Sequence, residues 1–188
     1  MLLARRSLLA SFVLIAGLVP AAFADDAKPP AVGDAAADFT LHSLSGEKVQ
    51  LSELTRQGPV VLVVLRGFPG YQCPACTAQV GEFSARARQF AEAKANVVLV
   101  YPGVADGLGE RAKEFVGTKV LPTGFHLVTD PDYTFTNKYH LRWDKEDETA
   151  YPATFVIDGE GKIRFASISR THKGRASAKT VLEELKKL

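Results

Sequence analysis

An unbroken apolar run, Val60-Val-Leu-Val-Val-Leu65, reads as a buried strand. Downstream, residues 75–93 place Val80, Phe83, Ala87 and Phe90 at helical spacing and predict one helix. Residues 96–101 predict a second buried strand, ended by Pro102-Gly103, and residues 108–116 predict a second helix. A third strand follows at 125–128, after which Asp130-Pro131-Asp132 caps a short helix running through Tyr139. Residues 153–157 and 163–168 form a strand pair around the turn Asp158-Gly-Glu-Gly161. Residues 177–188 form a final amphipathic helix with Val181, Leu182, Leu185 and Leu188 on one side. Ahead of the central strand, Phe39-Thr-Leu41 and Lys48-Val-Gln-Leu51 alternate apolar and polar residues around Ser45-Gly46, a β-hairpin pattern. Ser52-Glu-Leu54 starts a short helical turn, and Gly58-Pro59 ends it. Strands alternating with helices define an α/β class with a sheet covered on both faces, and the closing strand pair makes that sheet mixed.

The N-terminus departs from this pattern. Arg5 and Arg6 precede an apolar run over residues 8–19, and Ala22-Phe23-Ala24 supplies a small-residue cleavage site. This is the layout of a secretory signal peptide, and the run is short for a bilayer span. Cleavage is expected after Ala24, with a retained N-terminal anchor as the alternative. Arg5-Arg6-Ser7-Leu8-Leu9 also resembles a twin-arginine signal. Residues 1–24 are therefore read as a signal peptide and residues 25–33, rich in Ala, Pro and Lys, as a flexible leader. Residues 34–188 read as one domain, expected in the periplasm or outside the cell. Without Arg5 and Arg6 the mature chain carries 21 basic and 21 acidic residues. That balance gives no reason to expect nucleic acid or an anionic lipid surface as a partner, and no stable membrane insertion is expected after cleavage.

Candidate chemistry concentrates at one place. Arg66-Gly-Phe-Pro-Gly-Tyr-Gln72 leads into Cys73-Pro-Ala-Cys76, which holds both cysteines of the chain where the central strand gives way to a helix. Pro74 suits the first helical position, where a missing N–H costs no intrahelical bond. Cys73 then lies at or near the N-cap and Cys76 in the first turn, where unpaired amides and the helix dipole favour a thiolate. A disulfide across two intervening residues closes a loop too small to restrain the unfolded chain much. The pair therefore reads as a redox couple, with an inert structural disulfide in a plain binding module as the alternative. A zinc site would need a second Cys/His pair at ligand spacing, which the sequence lacks. The four histidines are scattered and read as surface or loop residues. No cofactor and no metal is expected.

The Cys pair at a strand-to-helix turn, followed by Tyr151-Pro152-Ala-Thr-Phe-Val-Ile-Asp158-Gly-Glu-Gly161, resembles the thioredoxin superfamily. Within it, the chain is most similar to the alkyl hydroperoxide reductase/thiol-specific antioxidant, peroxiredoxin-like branch. The resemblance spans residues 33–166 and includes Asp38-Phe-Thr-Leu41, Gly46-Glu-Lys-Val-Gln-Leu51 and Thr129-Asp130-Pro-Asp132. It implies a thioredoxin-like three-layer fold with a central mixed sheet, helices on both faces and an N-terminal β-hairpin. It also implies a cis peptide bond before Pro152, bringing an unpaired backbone edge to the cysteines where a substrate chain can pair. Peroxiredoxins carry Pro-x-x-x-Thr-x-x-Cys. Laid on Pro69-Gly-Tyr-Gln-Cys73-Pro-Ala-Cys76, this makes Pro69 the family proline and Cys76 the position that attacks peroxide, with Cys73 replacing threonine. The family arginine that precedes the fourth strand is replaced by Pro152, which leaves Arg66 or Arg142 to supply positive charge. Tyr71 and Gln72 stand where thioredoxins have tryptophan.

Two routes follow from the resemblance. In a disulfide reductase Cys73 is the nucleophile, being the more exposed thiol, Cys76 resolves the mixed disulfide, and Tyr151-Pro152 holds the substrate chain. In a hydroperoxide reductase Cys76 becomes a sulfenic acid and Cys73 condenses with it. Both end in a Cys73–Cys76 disulfide and both need an external thiol electron donor. Copper chaperones on this fold offer a third alternative, with His126, His140 or His172 joining the cysteines, although they usually space the cysteines by three residues. Arg66 either lines the site or keeps a buried strand end soluble. Phe68 and Tyr71 form a substrate platform or simply pack the loop. Arg142, Trp143 and the acidic residues 144–148 are expected in a solvated loop.

Overall fold

The computed structural model describes residues 28–188, so the expected signal segment lies outside the described residues. The hairpin forms as β1 (Thr40–Ser43) and β2 (Lys48–Gln50), with α1 (Leu51–Thr55) directly after it. Next come β3 (Val60–Val64), α2 (Pro74–Ser84), α3 (Ala87–Glu92), β4 (Asn96–Gly103), α4 (Leu108–Val116) and β5 (Phe125–Pro131). The chain ends with α5 (Thr134–Lys138), β6 (Ala153–Ile157), β7 (Ile163–Ile168) and α6 (Ala178–Leu185). One seven-stranded sheet holds all strands in the order β2-β1-β5-β4-β3-β6-β7. β3, β4 and β5 run parallel, whereas β1, β6 and β7 pair antiparallel with their neighbours. The mixed sheet is as the sequence predicts, and the hairpin is an extension of that sheet beyond β5.

The centre of the sheet explains the apolar run. Val61, Val63 and Leu65 join Phe83, Phe90, Phe115 and Val181 in one core. Val60, Leu62 and Val64 join Phe39, Phe135, Tyr139 and Phe155 in the core on the opposite face. Strand side chains alternate between faces, so a strand covered on both sides must be apolar throughout. Each such valine contributes ~1.5–3 kcal/mol by burial, which makes β3 the anchor of the fold. Two polar devices support the periphery. Asp130, fully buried, accepts from the amides of Phe135 and Thr136 at 2.7 and 2.9 Å and so caps α5. The segment before β1 is tied down where the Gly33 amide donates to the Ile163 carbonyl at 2.9 Å.

The expected single helix over residues 75–93 is two helices, broken at Ala85 and Arg86. Aromatic packing explains the break. Phe83 and Phe90 stack with centroids 5.4 Å apart, whereas seven residues of straight helix advance ~10 Å. Bending the chain at Arg86, whose φ is −111° and ψ 19°, lets both rings share one core.

Candidate active site

β3 delivers the chain to the site, and Gly67 turns it. Gly67 has φ +73°, and a Cβ there would lie 2.0 Å from the Pro102 carbonyl oxygen on β4. Only glycine tolerates that approach. The turn continues through Pro69, which is half-buried, and Gly70 to Tyr71, which is 49% exposed. Phe68 lies under the Arg111 guanidinium at 4.4 Å. Gln72 accepts from the Tyr101 hydroxyl at 2.9 Å and donates to the Arg111 carbonyl at 2.8 Å, which ties the turn to β4 and α4. Phe68 therefore packs the loop, whereas Tyr71 stays at the rim.

Cys73 is the N-cap of α2 and Pro74 its first residue, as the sequence predicts. The Cys76 amide donates to Cys73 Sγ at 3.3 Å, so the helix N-terminus points its polarity at that sulfur. The Arg66 amide donates to Cys76 Sγ at 3.3 Å. Both cysteines are free thiols and both are buried, at 4% for Cys73 and 1% for Cys76. Cys73 is thus the helix-terminal and slightly more exposed thiol of the two, although both are buried.

The two thiols titrate as a pair. The hydrogen bond from the Cys76 thiol, the Cys76 amide and the charges of Arg175 and Arg66 pull Cys73 down to about 6, against burial. The same hydrogen bond, burial and the Cys73 charge push Cys76 up. One proton is therefore shared, with Cys73 as the thiolate and Cys76 as the donor.

The positive charge comes from an unexpected place. Arg175, in the segment between β7 and α6, sets Nη2 3.3 Å from Cys73 Sγ and 3.3 Å from Cys76 Sγ. Its Nη1 donates to the His172 carbonyl at 2.6 Å. Arg142 is not at the sulfurs; its Nη1 donates to the carbonyls of Trp143, Glu148 and Thr149 and holds the 142–149 loop closed. Arg66 lines the site through its backbone, while its buried guanidinium turns to Glu148 Oε2 at 2.6 Å, the Tyr71 hydroxyl at 2.6 Å and the Asp147 carbonyl at 2.9 Å.

Glu148 and Trp143 correct the expectation of a solvated loop. Residues 144–147 are exposed, but the Glu148 side chain is only 7% exposed and also meets His172 Nε2 at 2.5 Å. Burial alone pushes its carboxyl up; the bonds from Arg66 and His172 outweigh it and hold the carboxyl below its usual range. Trp143 stacks on Tyr151 at 4.7 Å, with the Arg170 guanidinium on Tyr151 at 4.5 Å.

The expected cis bond at Pro152 is also corrected, since no cis peptide bond occurs among the described residues. The trans form is the intrinsically favoured one for X–Pro, and here the neighbouring backbone already has partners. The Tyr151 amide donates to the Leu141 carbonyl at 2.8 Å, and the Pro152 carbonyl accepts from the Ser169 amide at 2.8 Å. Residues 151 and 152 therefore join the site to β7 instead of offering a free edge.

The distant histidine needed for copper is absent from the pair. Among the described residues, no three His, Cys, Asp or Glu side chains converge as a metal site. His126 lies on β5, and His172 is engaged with Glu148.

Arg175 and Glu148 were illegible from local pattern, although topology carried a signal. Val64 pairs with Ala153, and Ala153 pairs with Ile168. The exits of β3 and β7 and the entry of β6 therefore share one end of the sheet, and the residues just after β7 emerge beside the cysteines.

A thiol pair at a helix N-terminus, set just beyond the end of the central strand of a mixed, helix-covered sheet, defines a thiol-based oxidoreductase on a thioredoxin-like fold. The AhpC/TSA family profile matches residues 32–166, and this chain belongs to that family. MT1643 of Mycobacterium tuberculosis, assigned as a peroxiredoxin, is 39% identical over 133 residues, or 70% of this chain and 80% of that protein. Helicobacter pylori bcp, likewise assigned as a peroxiredoxin, is 29% identical over 159 residues, 82% of this chain and 97% of that one. The crystal structure of peroxidoxin BcpB from Mycobacterium tuberculosis has the same fold, with a TM-score of 0.65 at 24% identity over 84% of this chain and 97% of that one.

Proposed function

We propose that this protein is an exported hydroperoxide reductase that cycles a Cys73–Cys76 dithiol. The observation that carries the choice of substrate is burial: both cysteines are buried, at 4% and 1% exposure. A hydroperoxide presents a tip of two oxygens, whereas a protein disulfide must bring a whole backbone to the sulfur. The paired backbone at Tyr151 and Pro152 supports the same choice, because it leaves no strand edge there for a substrate chain. Relatives assigned as peroxiredoxins agree with it. The signal-type layout of residues 1–24 supports export, and N-terminal sequencing of the secreted or periplasmic form is expected to start at Asp25.

The Cys73 thiolate attacks the distal oxygen of the hydroperoxide. The S–O bond forms as the O–O bond breaks, the alcohol leaves with a proton, and Cys73 becomes a sulfenic acid. Cys76, three residues away and already hydrogen-bonded to Cys73, then attacks that sulfur. Water leaves, and the disulfide holds the two-electron oxidation. This order reverses the family register, which places attack at Cys76, and it follows from which thiol the site ionises. An external dithiol returns two electrons and becomes a disulfide; one of its two protons restores the Cys76 thiol and the other goes to solvent. Pro69 and Gly67 shape the turn, and Tyr71 forms the rim through which peroxide enters.

The test mixes reduced protein with stoichiometric hydrogen peroxide and, separately, with an oxidised peptide. Thiol loss is expected to be fast with peroxide and at least ~10²-fold slower with the peptide. The peroxide rate is expected to rise with pH through about 6 and then level, because the lowered thiol of Cys73 is fully ionised above that value. Faster exchange with the peptide would make the protein a disulfide reductase, the reading that the Cys-x-x-Cys spacing favours.

A further inference from the structure

Resting on the reading of Cys73 and Cys76 as a redox couple, we infer that Arg175 locks the segment between β7 and α6 over the reduced couple, and that oxidation releases this strap so that a dithiol reductant reaches the disulfide. The couple must be sealed while it waits for peroxide and open when a larger thiol donor returns electrons. A charge change at the sulfurs accomplishes both.

The strap is pinned at its ends, and between them Ser169 Oγ meets the Thr171 and Lys173 carbonyls, which folds the strap on itself. At one end the Ser169 amide donates to the Pro152 carbonyl at 2.8 Å; at the other, Gln79 Nε2 donates to the Ala176 carbonyl at 3.1 Å. Residues 170–174 between them are exposed. Arg170 rests on Tyr151 and His172 meets Glu148, both at the rim. Arg175 is the contact that points inward, reaching both sulfurs at 3.3 Å.

Among the described residues no carboxylate pairs with Arg175, and its Nε is buried with no hydrogen-bond partner. The nearby anionic charge on Glu148 is already committed to Arg66 and His172. The thiolate is thus the counter-ion of Arg175. Forming the disulfide removes two electrons and the one shared proton from the couple; hydroperoxide takes a second proton from solvent as it becomes alcohol and water, and the sulfurs are left neutral. A half-buried guanidinium, its Nε already without a partner, is disfavoured once it loses its anion. Swinging the strap outward rehydrates it and uncovers Cys73. Reduction by the external dithiol, which becomes a disulfide as it gives up two electrons and two protons, returns one proton to Cys76 and one to solvent; this restores the Cys73 thiolate and draws Arg175 back.

Hydrogen–deuterium exchange of the full chain reads this directly at amides 170–176, comparing reduced protein with protein oxidised by diamide. Diamide makes the outcome independent of peroxide activity, which is measured in parallel. The strap is expected to exchange at least tenfold faster in the oxidised form, while β3 stays protected. Arg175→Met is expected to match the oxidised wild type in either redox state. The double variant Cys73→Ala/Cys76→Ala, which has no disulfide and no thiolate, is expected to show the same fast strap. Equal strap exchange in both redox states of the wild type overturns the inference, as does a slow strap in the double variant, which decides the matter if Arg175→Met loses protection in its sheet. A redox-gated strap in a protein that ignores peroxide sinks the hydroperoxide reading alone.

Discussion

Cys73→Ser is expected to lower catalytic peroxide reduction by ~10³-fold or more, because the hydroxyl that replaces the thiol is not ionised at neutral pH. Cys76→Ser is expected to stop turnover just as completely, but with a different trace. It consumes one equivalent of peroxide per chain and accumulates a sulfenic acid on Cys73, which a dimedone-type reagent captures for mass spectrometry. The asymmetry comes from the shared proton: hydrogen bonding and positive charge pull Cys73 down, and burial and its neighbour's charge push Cys76 up. Capture of the sulfenic acid on Cys76 in the Cys73→Ser variant, with none on Cys73 in the other, reverses the order of attack and restores the family register. Full activity in both variants removes the couple from the chemistry altogether.

Glu148→Ala is expected to destabilise the fold by about 3–5 kcal/mol, the usual cost of leaving one partner of a buried ion pair alone. The Arg66 side chain is 3% exposed and the Glu148 side chain 7%. The Tyr71 hydroxyl and Asp147 carbonyl still accept from the guanidinium, but no charge would balance it. Replacing both, as Arg66→Met with Glu148→Leu, is expected to recover most of that loss, since neither charge is then buried. Urea denaturation of the wild type and the two variants checks both statements, and a double variant no more stable than the single one refutes the pairing. The same pair sets an acid limit. The Glu148 carboxyl is lowered in the folded state from its ordinary 4.5. Its contribution is therefore complete above that value and is lost as pH falls through the lower folded one. Glu148→Ala is accordingly expected to flatten the wild type's loss of stability below that pH.

Local pattern was a good guide wherever a segment's environment was uniform. β3 is buried on both faces and reads as an unbroken apolar run; α4, β6 and β7 have the bounds their periodicity predicts. Cys73 capping α2 was legible too, because Pro74 and the strand before it mark a helix start in sequence alone. The helix broken at Arg86 was not, since the reason for the break is the meeting of two rings seven residues apart. Glu148 read as one more charge in an acidic run, and nothing in that run signals a partner 82 residues earlier. Arg175 is 102 residues from Cys73, on a segment with no periodicity of its own.

From its residues alone, then, this chain determines that two thiols sit at the start of a helix behind a buried strand, because secondary structure and capping are short-range and each residue's neighbours in sequence satisfy them. Which arginine faces the sulfurs, which carboxylate neutralises Arg66, and that Pro152 is trans with its carbonyl taken by Ser169 were decided only by the tertiary structure. Charges act through space and settle where desolvation demands a partner, and the sheet register brings distant segments to that place.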